Sequence, residues 1–183
     1  MSKAACVVVL VACSAILPGG CTAETQPDFK VCESTYALCT TASCKPIAGQ
    51  EDTVSCDCNV ETGYSLGREP CQAEAHTAEG KEIKSRYYPI KSYAVCTNDR
   101  PWANCLDMPC IVDASEPAKA ACACTVAKDQ GPYVMVTDTY DASTCTTGLW
   151  SSATVIDANR VTDFLKTSSE LKPFDIKVLT KPE

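Results

Sequence analysis

Apolar and polar residues alternate along much of this chain, which is the signature of strands with one buried face. In residues 53–60, Val54, Cys56, Cys58 and Val60 fall on one side and Thr53, Ser55, Asp57 and Asn59 on the other. Residues 120–126 repeat the pattern, with Cys122 and Cys124 on one face. Residues 133–137, Tyr-Val-Met-Val-Thr, are all good strand formers. Three further short segments share one shape: residues 28–32, residues 93–96 and residues 175–179. All three are expected to be strands. The second is expected to close the first half of the molecule as well as open the second half, and the third to close the second half.

Residues 45–52 carry Pro and Gly and read as a turn-rich loop. Residues 71–84 are polar and Ala-rich and read as an exposed loop. One helix is expected, over residues 158–171, with Asp157 as N-cap and Pro173 just beyond its end. Val161, Phe164, Leu165 and Leu171 would form its apolar side.

The cysteines organise these elements. Cys39, Cys44, Cys56 and Cys58 recur at one constant offset as Cys105, Cys110, Cys122 and Cys124, both sets spaced C-x4-C-x11-C-x-C. Four matched spacings mark a repeated structural unit. Tyr36-Ala37 ahead of the first set matches Trp102-Ala103 ahead of the second. Cys32 and Cys71 flank the first set, and Cys96 and Cys145 the second, with spacings that have drifted as loops changed length. The reading is therefore a small, disulfide-rich, mainly β protein (α+β overall). It comprises a leader over residues 1–23, a Cys-rich repeat over 24–92, a second over 93–155, and a C-terminal helix and closing strand over 156–183.

Within a repeat, Cys56 and Cys58 point the same way and do not bond each other. Each takes a partner among Cys32, Cys39, Cys44 and Cys71, and six cysteines allow 15 pairings. All twelve from Cys32 to Cys145 are expected to be bridged. A metal site on the C-x4-C and C-x-C spacings is the lesser alternative, since an exported chain oxidises its thiols; no metal or other cofactor is expected. Redox work by C-x-C is disfavoured because the pair recurs in both units with buried-face spacing, which suits structural bridges.

Export is read from the N-terminus. Lys3 supplies a positive charge, residues 4–17 are uncharged and mostly apolar, and Pro18-Gly19-Gly20 breaks the run. Cleavage after Ala23 would release a chain starting at Glu24, in the periplasm or medium. The alternative junction is Gly20-Cys21, which would leave a lipid on Cys21 and tether the protein to a membrane. No later segment is long and apolar enough to span a bilayer.

Charge excludes further classes. Removal of residues 1–23 takes away one lysine and no acid, so 15 basic and 23 acidic residues leave a net charge of −8. No basic stripe survives for nucleic acid or anionic lipid.

Candidate chemistry is sparse. His76, the only histidine, lies in a polar segment with no counterpart in the second repeat. Asp57, Asp99, Asp107, Asp113, Asp138 and Asp141 offer carboxylates, but no pair stands out as the acid and base of a hydrolase. Aromatic residues suggest binding instead. Tyr87 and Tyr88 are adjacent, so one is expected to face outward, and Asn98, Asp99, Arg100 and Trp102 lie on a loop longer than its first-repeat equivalent. The expected function is a non-catalytic module that binds a protein or glycan, or supports the envelope; the rival is a secreted carboxylate-dependent hydrolase. The spacing is not that of the familiar small disulfide scaffolds, so no activity is inferred from it.

Overall fold

The computed structural model describes residues 29–88, 90–170 and 175–179. The expected leader, Cys21 and Glu24 lie outside these residues, as do Pro89, Leu171 and Pro173. The described residues are mostly β with one helix. Among the described residues no helix is long and apolar enough to cross a membrane.

The first sheet contains β1 (Lys30–Leu38), β2 (Cys44–Ile47), β3 (Gln50–Gly67), β4 (Ala75–Thr77), β5 (Gly80–Arg86), β7 (Trp102–Asn104), β8 (Pro109–Val112) and β9 (Lys119–Ala127). The second contains β6 (Ser92–Cys96), β10 (Tyr133–Val136), β11 (Ala153–Thr154) and β12 (Lys177–Leu179), with the helix α1 (Val155–Thr167) following β11 directly. In the first sheet, β3 pairs with β1, β1 with β5, β5 with β8, β8 with β9, and β9 with β3. These pairings close a circuit, which leaves no free edge within it.

The pairings on either side of the β3–β9 ladder correspond at the same offset as the cysteines. Ala37 faces Val60 in one and Ala103 faces Val126 in the other. Cys44 faces Cys56, and Cys110 faces Cys122. The parallel pair Ala37–Ser85 is matched by an isolated bridge between Ala103 and Ser151. The ladder itself crosses at Cys56–Cys122, and Val54–Cys124 on one side answers Cys58–Ala120 on the other. Strands of the two Cys-rich segments thus interlock in one sheet.

The disulfides follow from this register. Cys44–Cys56 and Cys110–Cys122 join residues directly opposite across antiparallel pairs, each with Cα atoms 4.0 Å apart. Cys39–Cys58 and Cys105–Cys124 close the next rung, at 4.6 and 4.7 Å. These eight half-cystines have relative exposures of 8% or less and form the centre of the core with Ala37, Val54, Ile83, Ala103 and Ala120. Cys32–Cys71 and Cys96–Cys145 complete six bridges among the described residues. Small residues and disulfides fill a space that a larger domain would fill with Leu and Phe.

Several local expectations need correction. Strand β6 does not close the first half; it pairs with β10 and β12 in the second sheet. Residues 71–84 are not wholly loop, because β4 and the start of β5 form a hairpin there. The helix begins three residues earlier than expected. Thr154 is its N-cap, accepting from the Asp157 backbone N–H at 3.1 Å, and Asp157 sits in the first turn. Thr154-Val-Ile-Asp157 is a capping motif, with the two side chains also bonded at 3.0 Å. Val161 and Leu165 are buried and Phe164 partly so.

Candidate functional site: a cavity beneath the helix

The helix straddles the two sheets. Ala158 packs on the second sheet with Tyr93, Val134 and Ile90. Val161 and Leu165 pack on Leu66 at the end of the first. At this junction lies a cavity of about 70 Å3, walled by Tyr87, Ile90, Trp102, Leu106, Val134, Val136, Ala158 and Val161. Its exposed members are Arg68 and Asn104, with Asp157 about one-third exposed, so it reaches solvent on that side.

Two sequence candidates meet here. Tyr87 enters from the segment after β5, held by backbone bonds in both directions with Leu66. Trp102 opens β7 and stacks on Tyr133, with centroids 6.5 Å apart. Both are buried, at 8% and 5% exposure. The Tyr87 hydroxyl donates to the Ser152 carbonyl at 3.4 Å, and burial raises its pKa well above the usual tyrosine value. It is a neutral donor, not a base.

The remaining candidates lie elsewhere. Tyr88 is half-buried beside the Leu66 cluster. Asn98 donates to the Cys145 carbonyl at 2.9 Å, and Arg100 to the Gly148 carbonyl at 3.3 Å, which ties their loop to residues 145–148. Asp99 is exposed.

Polar groups around the cavity are mostly engaged. Arg68 and Asp157 form an ion pair of 2.6 Å. The Asn104 side-chain oxygen accepts from the Leu106 N–H at 3.3 Å, and the Ser152 hydroxyl donates to the Val134 carbonyl. Two hydroxyls differ: Thr40 Oγ1 and Ser151 Oγ are buried and have no hydrogen-bond partner among the described residues. The two residues line the cavity, while the hydroxyl oxygens themselves are fully buried. Sequence reasoning missed them, because a serine or threonine carries no local sign of being left without a partner.

The other candidate chemistries separate in space. Thr41, Lys91 and Trp150, each next to a cavity residue in sequence, line a wider groove of about 670 Å3 together with Asp138 and Asp141. Asp141 Oδ1 accepts from the Ser143 hydroxyl at 2.6 Å and N–H at 2.7 Å, and from the Thr144 N–H at 3.1 Å. These bonds hold its pKa below the usual carboxylate value, so it is ionised at neutral pH and unsuited to donate a proton. Asp138 accepts from Ser92 Oγ at 2.9 Å. Asp57, Asp113 and His76 are exposed on separate elements. Asp107 is buried and structural, paired with Arg86 at 3.1 Å.

Two groups of three sulfurs, Cys39/Cys58/Cys122 and Cys44/Cys56/Cys105, lie within 4.8 Å of one another. Every one is in a disulfide. A bridged sulfur is not a thiolate, so the set does not suit zinc in the oxidised protein. No family model, no curated protein and no solved structure matches the chain.

Proposed function

We propose that this is an exported, non-catalytic binding module built on a duplicated disulfide frame, with the cavity under the helix as its ligand site. Residues 24–92 and 93–155 are the two copies in this reading. The observation that carries it is the cavity itself: a partly open, mainly apolar hollow in a cross-linked body, with Tyr87 and Trp102 in its wall. Pre-ordered walls lose little entropy when a ligand enters. Six disulfides fit an oxidising compartment. Cleavage after Ala23, releasing the protein to the periplasm or medium, fits them; so does a lipid on Cys21, and N-terminal sequencing separates the two.

The hydrolase reading has one observation in its favour, the presence of Asp138 and Asp141 in one groove. The depressed pKa of Asp141 removes it as the acid, and its bonds to residues 143–144 give it a loop-shaping role. The test is a screen of the oxidised mature protein against glycan, peptide and small-molecule panels, read by thermal shift, with a broad hydrolase screen in parallel. Ligands whose shift is lost in Trp102→Ala support the module. Hydrolysis that is lost in Asp138→Asn, with no ligand retained, overturns it.

A further inference from the structure

We infer that the central disulfides form a redox-sensitive exchange switch: opening one of them lets its freed sulfur re-pair across the β3–β9 ladder and tie the two Cys-rich segments together covalently. The switch is independent of the cavity as a ligand site.

The pairings set the starting point. Cys32–Cys71, Cys39–Cys58 and Cys44–Cys56 lie within the first set of six cysteines. Cys96–Cys145, Cys105–Cys124 and Cys110–Cys122 lie within the second. Among the described residues no bridge crosses from one set to the other. Apart from the chain itself, strand pairing and packing alone hold the sets together.

The register nevertheless brings sulfurs of the two sets side by side. Cys44 faces Cys56, Cys56 faces Cys122, and Cys122 faces Cys110, so four cysteines stand abreast on β2, β3, β9 and β8. Residues opposite one another in a sheet send their side chains to the same face. Beside this row, Cys39 Sγ lies 3.4 Å from Cys122 Sγ, although the two belong to different bridges. A disulfide bond is about 2.05 Å long, so re-pairing asks for a shift of only about 1.4 Å. Cys58 Sγ lies within 4.8 Å of both. The offset of the matched cysteines carries Cys39 to Cys105 and Cys56 to Cys122. On that second side Cys56 Sγ and Cys105 Sγ again lie within 4.8 Å of each other, with Cys44 beside them. The outer bridges differ. Among the described residues no third cysteine sulfur lies within 4.8 Å of both Cys32 and Cys71, or of both Cys96 and Cys145.

The exchange is balanced. A dithiol reductant opens Cys110–Cys122, supplies two electrons and two protons, and is itself oxidised to a disulfide. The Cys122 thiolate then attacks Cys39 Sγ. The Cys39–Cys122 bond forms, the Cys39–Cys58 bond breaks, and Cys58 leaves as a thiolate that takes up the proton Cys122 released. On the other side, opening Cys44–Cys56 lets Cys56 attack Cys105 and release Cys124. Cys39, Cys56, Cys58, Cys105, Cys110, Cys122 and Cys124 are all 0% exposed. A sulfur freed here therefore meets a bridged neighbour before it meets a thiol from solution.

The test needs no reductant in its main arm. Cys110→Ser leaves Cys122 as a thiol beside Cys39–Cys58, and Cys44→Ser leaves Cys56 beside Cys105–Cys124. Each variant is folded under oxidising conditions, held at about pH 8.5 where thiolates form, quenched with acid, alkylated and mapped by mass spectrometry without reduction. Cys39–Cys122 with alkylated Cys58 is expected in Cys110→Ser, and Cys56–Cys105 with alkylated Cys124 in Cys44→Ser. About one molecule in ten or more should carry the new bridge, because the two pairings join equally buried sulfurs and neither is strongly preferred. Cys145→Ser, which leaves Cys96 alone, should keep its other five bridges unchanged. Wild-type protein treated briefly with dithiothreitol should give the same two cross-set bridges before full reduction. Circular dichroism identifies folded variants; if one fails to fold, the other and the wild-type arm decide. Alkylation at Cys122 and Cys56 alone, with no cross-set bridge in any folded protein, would overturn the inference. So would equal re-pairing in Cys145→Ser, since that is unselective scrambling.

Discussion

The offset that relates the matched cysteines carries position 86 to position 152 and position 41 to position 107, yet the two sides of the sheet are finished differently. On one side Arg86 and Asp107 form a buried ion pair, at 4% and 8% exposure. Asp107 also accepts from the backbone N–H groups of Arg68 and Glu69, and Arg86 donates to the carbonyls of Lys30 and Glu69. Gly67 makes this clamp possible, since a Cβ there would collide with both side chains. On the other side stand Ser152 and Thr41, which cannot form such a clamp. There the space goes to the cavity. The four central disulfides have the same separations, 12 and 19, on both sides. One frame thus carries a flank sealed by charge on one side and an open one on the other.

The comparison can be broken most severely at the clamp. Arg86→Ala should lower stability by about 3–5 kcal/mol in denaturant unfolding, because it strands the Asp107 charge in the interior. Arg86→Ala combined with Asp107→Asn should recover part of that loss, because the stranded charge is removed and an amide oxygen can still accept from the Arg68 and Glu69 N–H groups. Ser152→Ala, at the matching place, should cost only about 1 kcal/mol, as expected for a neutral hydrogen bond. Equal losses at positions 86 and 152 would refute the asymmetry.

The frame predicts symmetry where the flanks predict difference. Replacing Cys44 and Cys56 by Ser should cost about as much as replacing Cys110 and Cys122, roughly 2–4 kcal/mol each. Both close loops of the same sequence separation between equally paired strands. A large inequality between the two double variants, measured by thermal unfolding of the oxidised proteins, would mean that the frame is not shared.

A finer test lies at the matched serines. Ser85→Ala removes a hydroxyl bonded to Cys105 and Met108 and should cost about 1–2 kcal/mol. Ser151→Ala removes one with no partner and should cost nothing measurable or stabilise slightly. Chemical denaturation of the two single variants reads the difference directly.

The smallest effect is expected at Tyr36, whose match is Trp102. Burial first, and then the nearby Glu61 carboxylate, push its pKa up to about 12. The folded value exceeds the unfolded one, so folding holds the proton. Its stabilising effect is complete below about pH 10 and is lost as pH rises toward 12. Titration by ultraviolet absorbance should show Tyr36 and Tyr87 ionising last, only as the protein unfolds. Early ionisation of all seven tyrosines would overturn this. Tyr36→Trp should remove the Tyr36 share of the alkaline loss.

Much of this was readable in the chain. Period-2 alternation placed Cys56 and Cys58 on one face and so ruled out a bond between them. The fixed spacing showed that the two segments share one pattern but left the pairings open; the strand register selects matched partners in both. The helix was readable too, but its start was misplaced. Asp157 looked like a cap, whereas Thr154 three residues earlier supplies the hydroxyl.

What the chain could not state was which groups meet across it. Tyr87, one of an adjacent pair of which one was expected to face outward, and Trp102, the match of Tyr36, prove to be two walls of one cavity. Asp107 read as one solvated acid among many and proved to be a buried clamp. The reason is range. Alternation, capping and cysteine spacing are local properties, determined by backbone geometry over a few residues. Burial of Tyr87 depends on α1, far downstream in the chain, lying across both sheets. The unpaired hydroxyl of Ser151 depends on what the neighbouring segments fail to offer. Sequence alone determined the frame and its strand faces; only the tertiary structure decided which flank is sealed by charge and which is left with an open cavity.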